Sequence, residues 1–170
     1  MENVLNKETL IYEYKNNYFI IQRSTQGKKF DERIEATENV ALFSKLPLDC
    51  SLEKLGADVF KALENFNIIR PQFEAWEFSE LNKQFCTWVG ARGRKPFDRD
   101  SRCVQVYKKK KLEIIPYDNC NKNEWYGPML NNMGFRNKII TLDHKSSFKT
   151  IGENIKIAFS KATYNPNRKE

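Results

Sequence analysis

A single histidine limits the chemistry this 170-residue chain can carry. His144, in TLDHKSS, titrates near neutral pH and could serve a hydrolase or small nuclease as general base. Alone, it cannot support phosphodiester chemistry that divides acid and base between two histidines. Its place beside Asp143, in a polar stretch before a helix, fits an ordinary turn better. The carboxylates gather as Glu74, Glu77 and Glu80 and as Asp98 and Asp100. Either set could be drawn as an acid/base or metal pair, but a helix face and a loop keep such groups solvated. Cys50, Cys86, Cys103 and Cys120 never approach a CxxC pair, so they lack the close ligand spacing of a zinc site. They read as reduced thiols, mostly buried as small hydrophobes. The glycine fingerprints for phosphate (GxGxxG, GxxxxGKS/T) and the GxSxG elbow are missing. The chain does not read as an enzyme and implies no cofactor and no metal.

The densest charge lies in GARGRKPFDRDSR, residues 90–102, which carries Arg92, Arg94, Lys95, Arg99 and Arg102. Its glycines, Pro96 and charge predict a loop. Arginine's planar fork bonds carboxylates or phosphates bidentately, so the segment is a candidate surface for RNA or for an acidic patch on a protein. The plainer alternative is a solvated loop. A net charge of +7, from 29 basic against 22 acidic residues, favours an anionic partner, although the acids are interspersed. Lys108 to Lys111 predict a hydrated hairpin tip. Trp76, Trp88 and Trp125 read as core anchors, because no strand carries the aromatic pattern of an RNA-recognition sheet.

These residues need elements to hold them. LIYEYKNNYFIIQR predicts a hairpin near residues 10–23, turning at Lys15-Asn16-Asn17, and VQVYKKKKLEIIPY a second near 104–117. DERIEAT could form a short helical turn, Val40 to Phe43 a strand closed by Pro47, and KIITL another strand. Helical spacing of apolar residues predicts helices near 51–66, 72–89 and 147–162, the second opened by Pro71 and broken at Gly90. Residues 118–137 form a long irregular connection. The order mixes hairpins and helices without regular alternation, which predicts an α+β fold with a mainly antiparallel sheet.

One helix phrase occurs twice: SLEKLGADVFKAL at 51–63 and SFKTIGENIKIAF at 147–159. Each has a capping serine, a glycine five residues later, then a branched residue and an alanine at intervals of three. The repeat makes 1–170 either one ordinary domain or one built from two related β–α units, about 37–66 and 138–163. A glycine inside a helix costs up to about 1 kcal/mol relative to alanine, so both glycine faces are expected to lie close against a strand of the sheet. Forty per cent hydrophobic residues, 12 Phe among them, argue for a packed core. With no export signal and no apolar run near the roughly 18 residues of a membrane span, the expected compartment is the cytoplasm.

The collinear set ENVALFSKLP, SLEKLGADVFKAL, VQVY with LEIIPY, WYG at Trp125 to Gly127, and SFKTIGENIKIAF resembles the CdiI immunity proteins of contact-dependent growth inhibition systems. The resemblance spans roughly residues 12–163. It implies a cytoplasmic, non-catalytic and cofactor-free protein. Such a protein binds the toxic C-terminal domain of a cognate CdiA effector, often a nuclease, and occludes its active site or substrate groove. Inhibitors of RNA-cutting toxins are commonly acidic, whereas this chain is basic. No contact residue carries over by motif, so the arginine segment 92–102 is the candidate toxin-binding surface on its charge alone. The alternative from another class is a basic RNA- or DNA-binding accessory protein.

Overall fold

The computed structural model describes residues 7–25, 37–68, 75–119, 127–128, 139–166 and 168. The DERIEAT turn (up to Ala36), Pro71, Cys120, Trp125 and most of the 118–137 connection lie outside the described residues, as do the side chains of Trp76 and Glu77.

The first hairpin joins β1 (Lys7–Tyr14) to β2 (Asn17–Thr25). Lys15 and Asn16 sit at φ +47° and +60°, the left-handed pair that a two-residue hairpin turn demands and that asparagine tolerates well. This sets the register at Tyr14 opposite Asn17, so Ile11 faces Ile20 and Tyr12 faces Phe19. β3 (Thr37–Pro47) is longer than its four-residue apolar run indicates and pairs with β2 through two register shifts. β5 (Arg102–Lys108) and β6 (Leu112–Asp118) form the second hairpin. The strand order is β3-β2-β1-β5-β6-β7, antiparallel throughout, where β7 is Gly127–Pro128. β8 (Ile140–Leu142) also pairs with β6, and the two-residue β4 (Asn67–Ile68) lies parallel to the end of β2. The fold is α+β, with helices on both faces of this sheet.

Strand alternation divides the core. Ile11, Ile20, Val104, Val106 and Ile114 point to the face covered by α1 (Leu52–Glu64) and α4 (Phe148–Lys161). Leu10, Tyr12, Tyr14, Phe19 and Cys103 point to the opposite face, under α2 (Ala75–Val89) and α3 (Arg94–Asp100). Covered on both sides, β1 is buried at every residue from Glu8 to Tyr14. Both phrase helices are capped as their serines predict: Ser51 Oγ accepts from Lys54 N and Ser147 Oγ from Thr150 N, each at 3.1 Å. α2 stops where Gly90 turns left-handed at φ +66°.

The glycines correct one expectation. Gly56 and Gly152 are buried, but each faces the other helix and not a strand. A β-carbon on Gly56 would strike the carbonyl of Phe148, and one on Gly152 would strike the carbonyl of Leu52. Leu52 and Phe148 are the first residues of their helices, so the contact is reciprocal. The first turns cross backbone against backbone, while Leu55, Val59, Ile151 and Ile155 fill the space toward the sheet.

Candidate functional site

The arginine segment is not a loop. Residues 94–100 form α3, which is compatible with Pro96 because a first-turn residue has no intrahelical partner for its amide. The helix is anchored by Arg94, one of the five candidate binding residues. Arg94 Nε lies 2.8 and 2.9 Å from the two carboxylate oxygens of Asp98, one turn on. Its guanidinium sits 4.6, 5.6 and 5.9 Å from the ring centres of Phe85, Phe97 and Tyr12, themselves packed edge to face. The neighbouring Tyr12 and Asp98 raise the Arg94 pKa further, against the opposing effect of burial. Burial pushes the Tyr12 hydroxyl up to about 12 and the Cys103 thiol well above its ordinary value.

Arg102, at the start of β5, is also engaged. Its guanidinium bonds Glu13 Oε2 at 2.5 Å, donates to the carbonyl of Phe159 at 2.9 Å, and lies 4.7 Å over the ring of Tyr164. A cation on the last-turn carbonyls of α4 also suits the helix dipole. Tyr164 donates to the other Glu13 oxygen at 2.7 Å, tying the C-terminal segment to the centre of the sheet. Arg99 grips Asp100 through two hydrogen bonds of 2.7 and 2.8 Å. Of the five sequence-selected residues, only Arg92 and Lys95 are classed as exposed, and they flank the start of α3.

The other candidates disperse. His144 lies in the turn between β8 and α4, where Asp143 Oδ1 accepts from Lys145 N at 2.8 Å and Ser146 N donates to Asp143 O. The ring Nδ1 of His144 is buried and has no hydrogen-bond partner among the described residues, so no carboxylate orients it as a general base would require. Asp98 and Asp100 hold arginines, Glu80 is exposed beside Lys83, and Glu74 is outside the described residues. No three His, Cys, Asp or Glu side chains among the described residues come together as a metal site. The lysine run is only half a hydrated tip: Lys110 and Lys111 are exposed, whereas Lys108 bonds Glu64 over the ring of Phe60 and Lys109 bonds Glu113.

Sequence reasoning missed a polar cluster inside the sheet's second face. Glu8 is 3% exposed; it pairs with Arg23 at 2.8 Å and accepts from Gln105 Nε2 at 3.0 Å, and Gln105 in turn accepts from the Tyr117 hydroxyl. Burial raises the Tyr117 pKa strongly, so this hydroxyl stays protonated and serves as a donor. The cluster ties β1, β2, β5 and β6 together.

With this geometry in hand, the chain can be set beside known proteins. No family model and no curated protein matches its sequence. Its fold has solved counterparts. A protein of unknown function from Neisseria meningitidis superposes with a TM-score of 0.73 at 18% identity, covering 96% of this chain and 99% of that one. A chain of the CdiA-CT/CdiI toxin and immunity complex from Yersinia pseudotuberculosis superposes with a TM-score of 0.68 at 15% identity, covering 94% and 99%. The likeness is one of fold, and it takes in the sheet and both helical layers. No helix among the described residues is long and apolar enough to cross a membrane.

Proposed function

We propose that this protein is an immunity protein that binds and neutralises the toxic C-terminal domain of a cognate CdiA effector. The observation that carries this reading is the shared fold, over nearly the whole of both chains, with a chain of a toxin and immunity complex. The protein acts in the cytoplasm, as a stoichiometric binder and not as a catalyst, and uses no cofactor. Its mechanism is occlusion: a preformed surface covers the toxin's active site or substrate groove. A sheet held between two helical layers suits that task, because a rigid surface loses little conformational entropy on binding.

The test is co-expression with the C-terminal domain encoded by the gene immediately upstream. Cells making both proteins should grow, and the two should co-purify as a stable complex. A toxin domain that still kills, or that fails to co-purify, refutes the proposal.

A further inference from the structure

Three cations remote in sequence join Arg92 and Lys95 at one end of the molecule. Lys15 occupies the β1–β2 turn, and its Nζ donates to the carbonyl of Gly90 at 2.9 Å, fixing the turn against the connection that carries Arg92. Lys45 stands opposite Phe19 in the β2–β3 register, with Nζ 5.6 Å from the ring centre. Arg168 lies 3.8 Å over the ring of Tyr164. Lys15, Lys45, Arg92, Lys95 and Arg168 are all exposed.

Two carboxylates stand among them. Asp100 is held below the usual carboxylate range by its hydrogen bonds from Arg99, and the charges of Arg168 and Lys15 act in the same direction. Asp49 is exposed one residue beyond Leu48, whose amide donates to the carbonyl of Asn16 in the hairpin turn at 3.2 Å. Positive charge still dominates, because the five exposed cations face only Asp49 and an Asp100 already paired with Arg99, while Arg94 and Arg102 are balanced internally by Asp98 and Glu13.

A phosphate chain and an acidic protein surface would both be drawn to such an end. The details favour the protein. Single-stranded nucleic acid gains much of its affinity by stacking bases on exposed rings. Here Tyr12, Tyr14 and Phe19 are buried, and Lys15 and Lys45 lie over the last two. Exposed Asp49 would repel a continuous line of phosphates but can pair with an isolated cation on a mixed, mainly acidic protein face, while Asp100 is already held by Arg99. We propose that this end of the sheet is the docking surface, and that its occupant is an acidic face of the toxin domain; the inference rests on the immunity reading. Arg94 and Arg102, although in the same segment, belong to the fold and not to the interface.

The experiment measures association kinetics with the purified toxin domain encoded upstream, at low and high salt. It compares the wild type, the triple reversal Lys45→Glu/Arg92→Glu/Lys95→Glu, and a control, Lys110→Glu/Lys111→Glu, at the opposite hairpin tip. The triple reversal should slow association by at least about tenfold at low salt and flatten its salt dependence, with the melting temperature and the control unchanged. Should the reversal impair folding, the corresponding triple alanine variant gives a smaller loss in the same direction. Wild-type binding that the reversal and the alanine variant leave intact overturns the docking surface alone. Failure of the wild type to bind overturns both the surface and the immunity reading. Salt-dependent wild-type binding to single-stranded RNA, lost in the reversal while toxin binding persists, assigns this end to nucleic acid and overturns the proposal.

Discussion

Replacing Gly56 with alanine sets two effects of opposite sign against each other, and their balance tests the helix crossing. Intrinsic helix propensity favours alanine over glycine by about 1 kcal/mol in a helix interior. At Gly56, however, the new β-carbon would lie 2.7 Å from the carbonyl carbon of Phe148 and closer still to its oxygen. That oxygen contact falls about 1.5 Å inside the 3.4 Å at which ordinary contact begins. The obstacle is backbone in the first turn of α4, which cannot rotate aside as a side chain can. The helices must therefore part, drawing Leu55 and Val59 away from Ile151 and Ile155, all of them at most 1% exposed. Overpacking of this kind costs roughly 1–3 kcal/mol or more, and a rigid obstacle places it at the upper end. Net of propensity, Gly56→Ala should destabilise by about 2 kcal/mol, a fall in melting temperature of roughly 4–8 °C for a chain of this size. Gly152→Ala, facing the carbonyl of Leu52, should behave alike. The double variant should lose less than the sum, since one separation relieves both clashes. Thermal and urea unfolding followed by circular dichroism give the numbers. An unchanged or higher melting temperature for either single variant would mean that propensity decides and that the helices do not meet at their glycines.

Two further outcomes follow from the site. Arg94→Ala should destabilise by about 2 kcal/mol, because Asp98 stays buried without the Arg94 Nε that contacts both its oxygens and the ring cage is left empty; Lys95→Ala should change stability by less than about 0.5 kcal/mol. Arg94→Lys should recover only part of the loss, since an ammonium can meet Asp98 but cannot lay a planar group against the rings of Phe85, Phe97 and Tyr12, so full recovery in urea titrations would contradict the cage. Stability should also fall in alkali. Burial raises Tyr12 to about 12 in the folded chain against about 10 unfolded, so its contribution is complete below pH 10 and is lost as pH rises toward 12. The slope from this group is at most about 1.4 kcal/mol per pH unit, and Cys103, shifted the same way, begins to contribute from the ordinary thiol range upward. Tyr12→Phe should make the decline shallower; a urea midpoint that stays level through pH 11 would refute the assignment.

Much of the fold is legible in the residues themselves. Asn16 and Asn17 between two aromatic, β-branched runs mark the first hairpin, and Ser51 and Ser147 mark the first turns of α1 and α4. Periodicity identifies which side of α1 is buried but not what buries it, so the glycine faces were assigned to the sheet when they belong to the helix pair. α3 was hidden because seven residues hold too few turns for a period to show, and because glycine, proline and charge are also the marks of a loop. The Glu8 cluster was hidden because alternation separates the two faces of a strand, and a strand with helices over both has no solvent face. The cationic end was legible only in part: strand register brings Lys45 to the end where Lys15 bonds Gly90 beside Arg92, and Arg168 arrives there by lying over Tyr164, none of it visible as proximity in sequence.

The division of labour among the cations bears on how a basic chain could serve as a specific binder. Arg94 and Arg102 are half-buried, paired and stacked, the tasks for which a planar guanidinium is better suited than an ammonium. Their crowding into one segment reflects the anchoring of α3 and the capping of α4, so local charge density was a poor guide to binding. The exposed cations sit on the hairpin turn, the edge strand and the helix start, where substitutions typically change stability by no more than about 0.5 kcal/mol. Such positions can exchange one charge for another while the paired arginines, the buried Glu8 cluster and the glycine crossing keep the scaffold unchanged. Specificity is a difference between affinities, and it can be retuned at such a rim by adding repulsion as readily as attraction. That freedom is compatible with one architecture persisting over nearly whole chains at 15–18% identity. On the proposed immunity reading, the charge of such a rim is set by the partner, and a basic rim would call for an acidic face on the toxin domain.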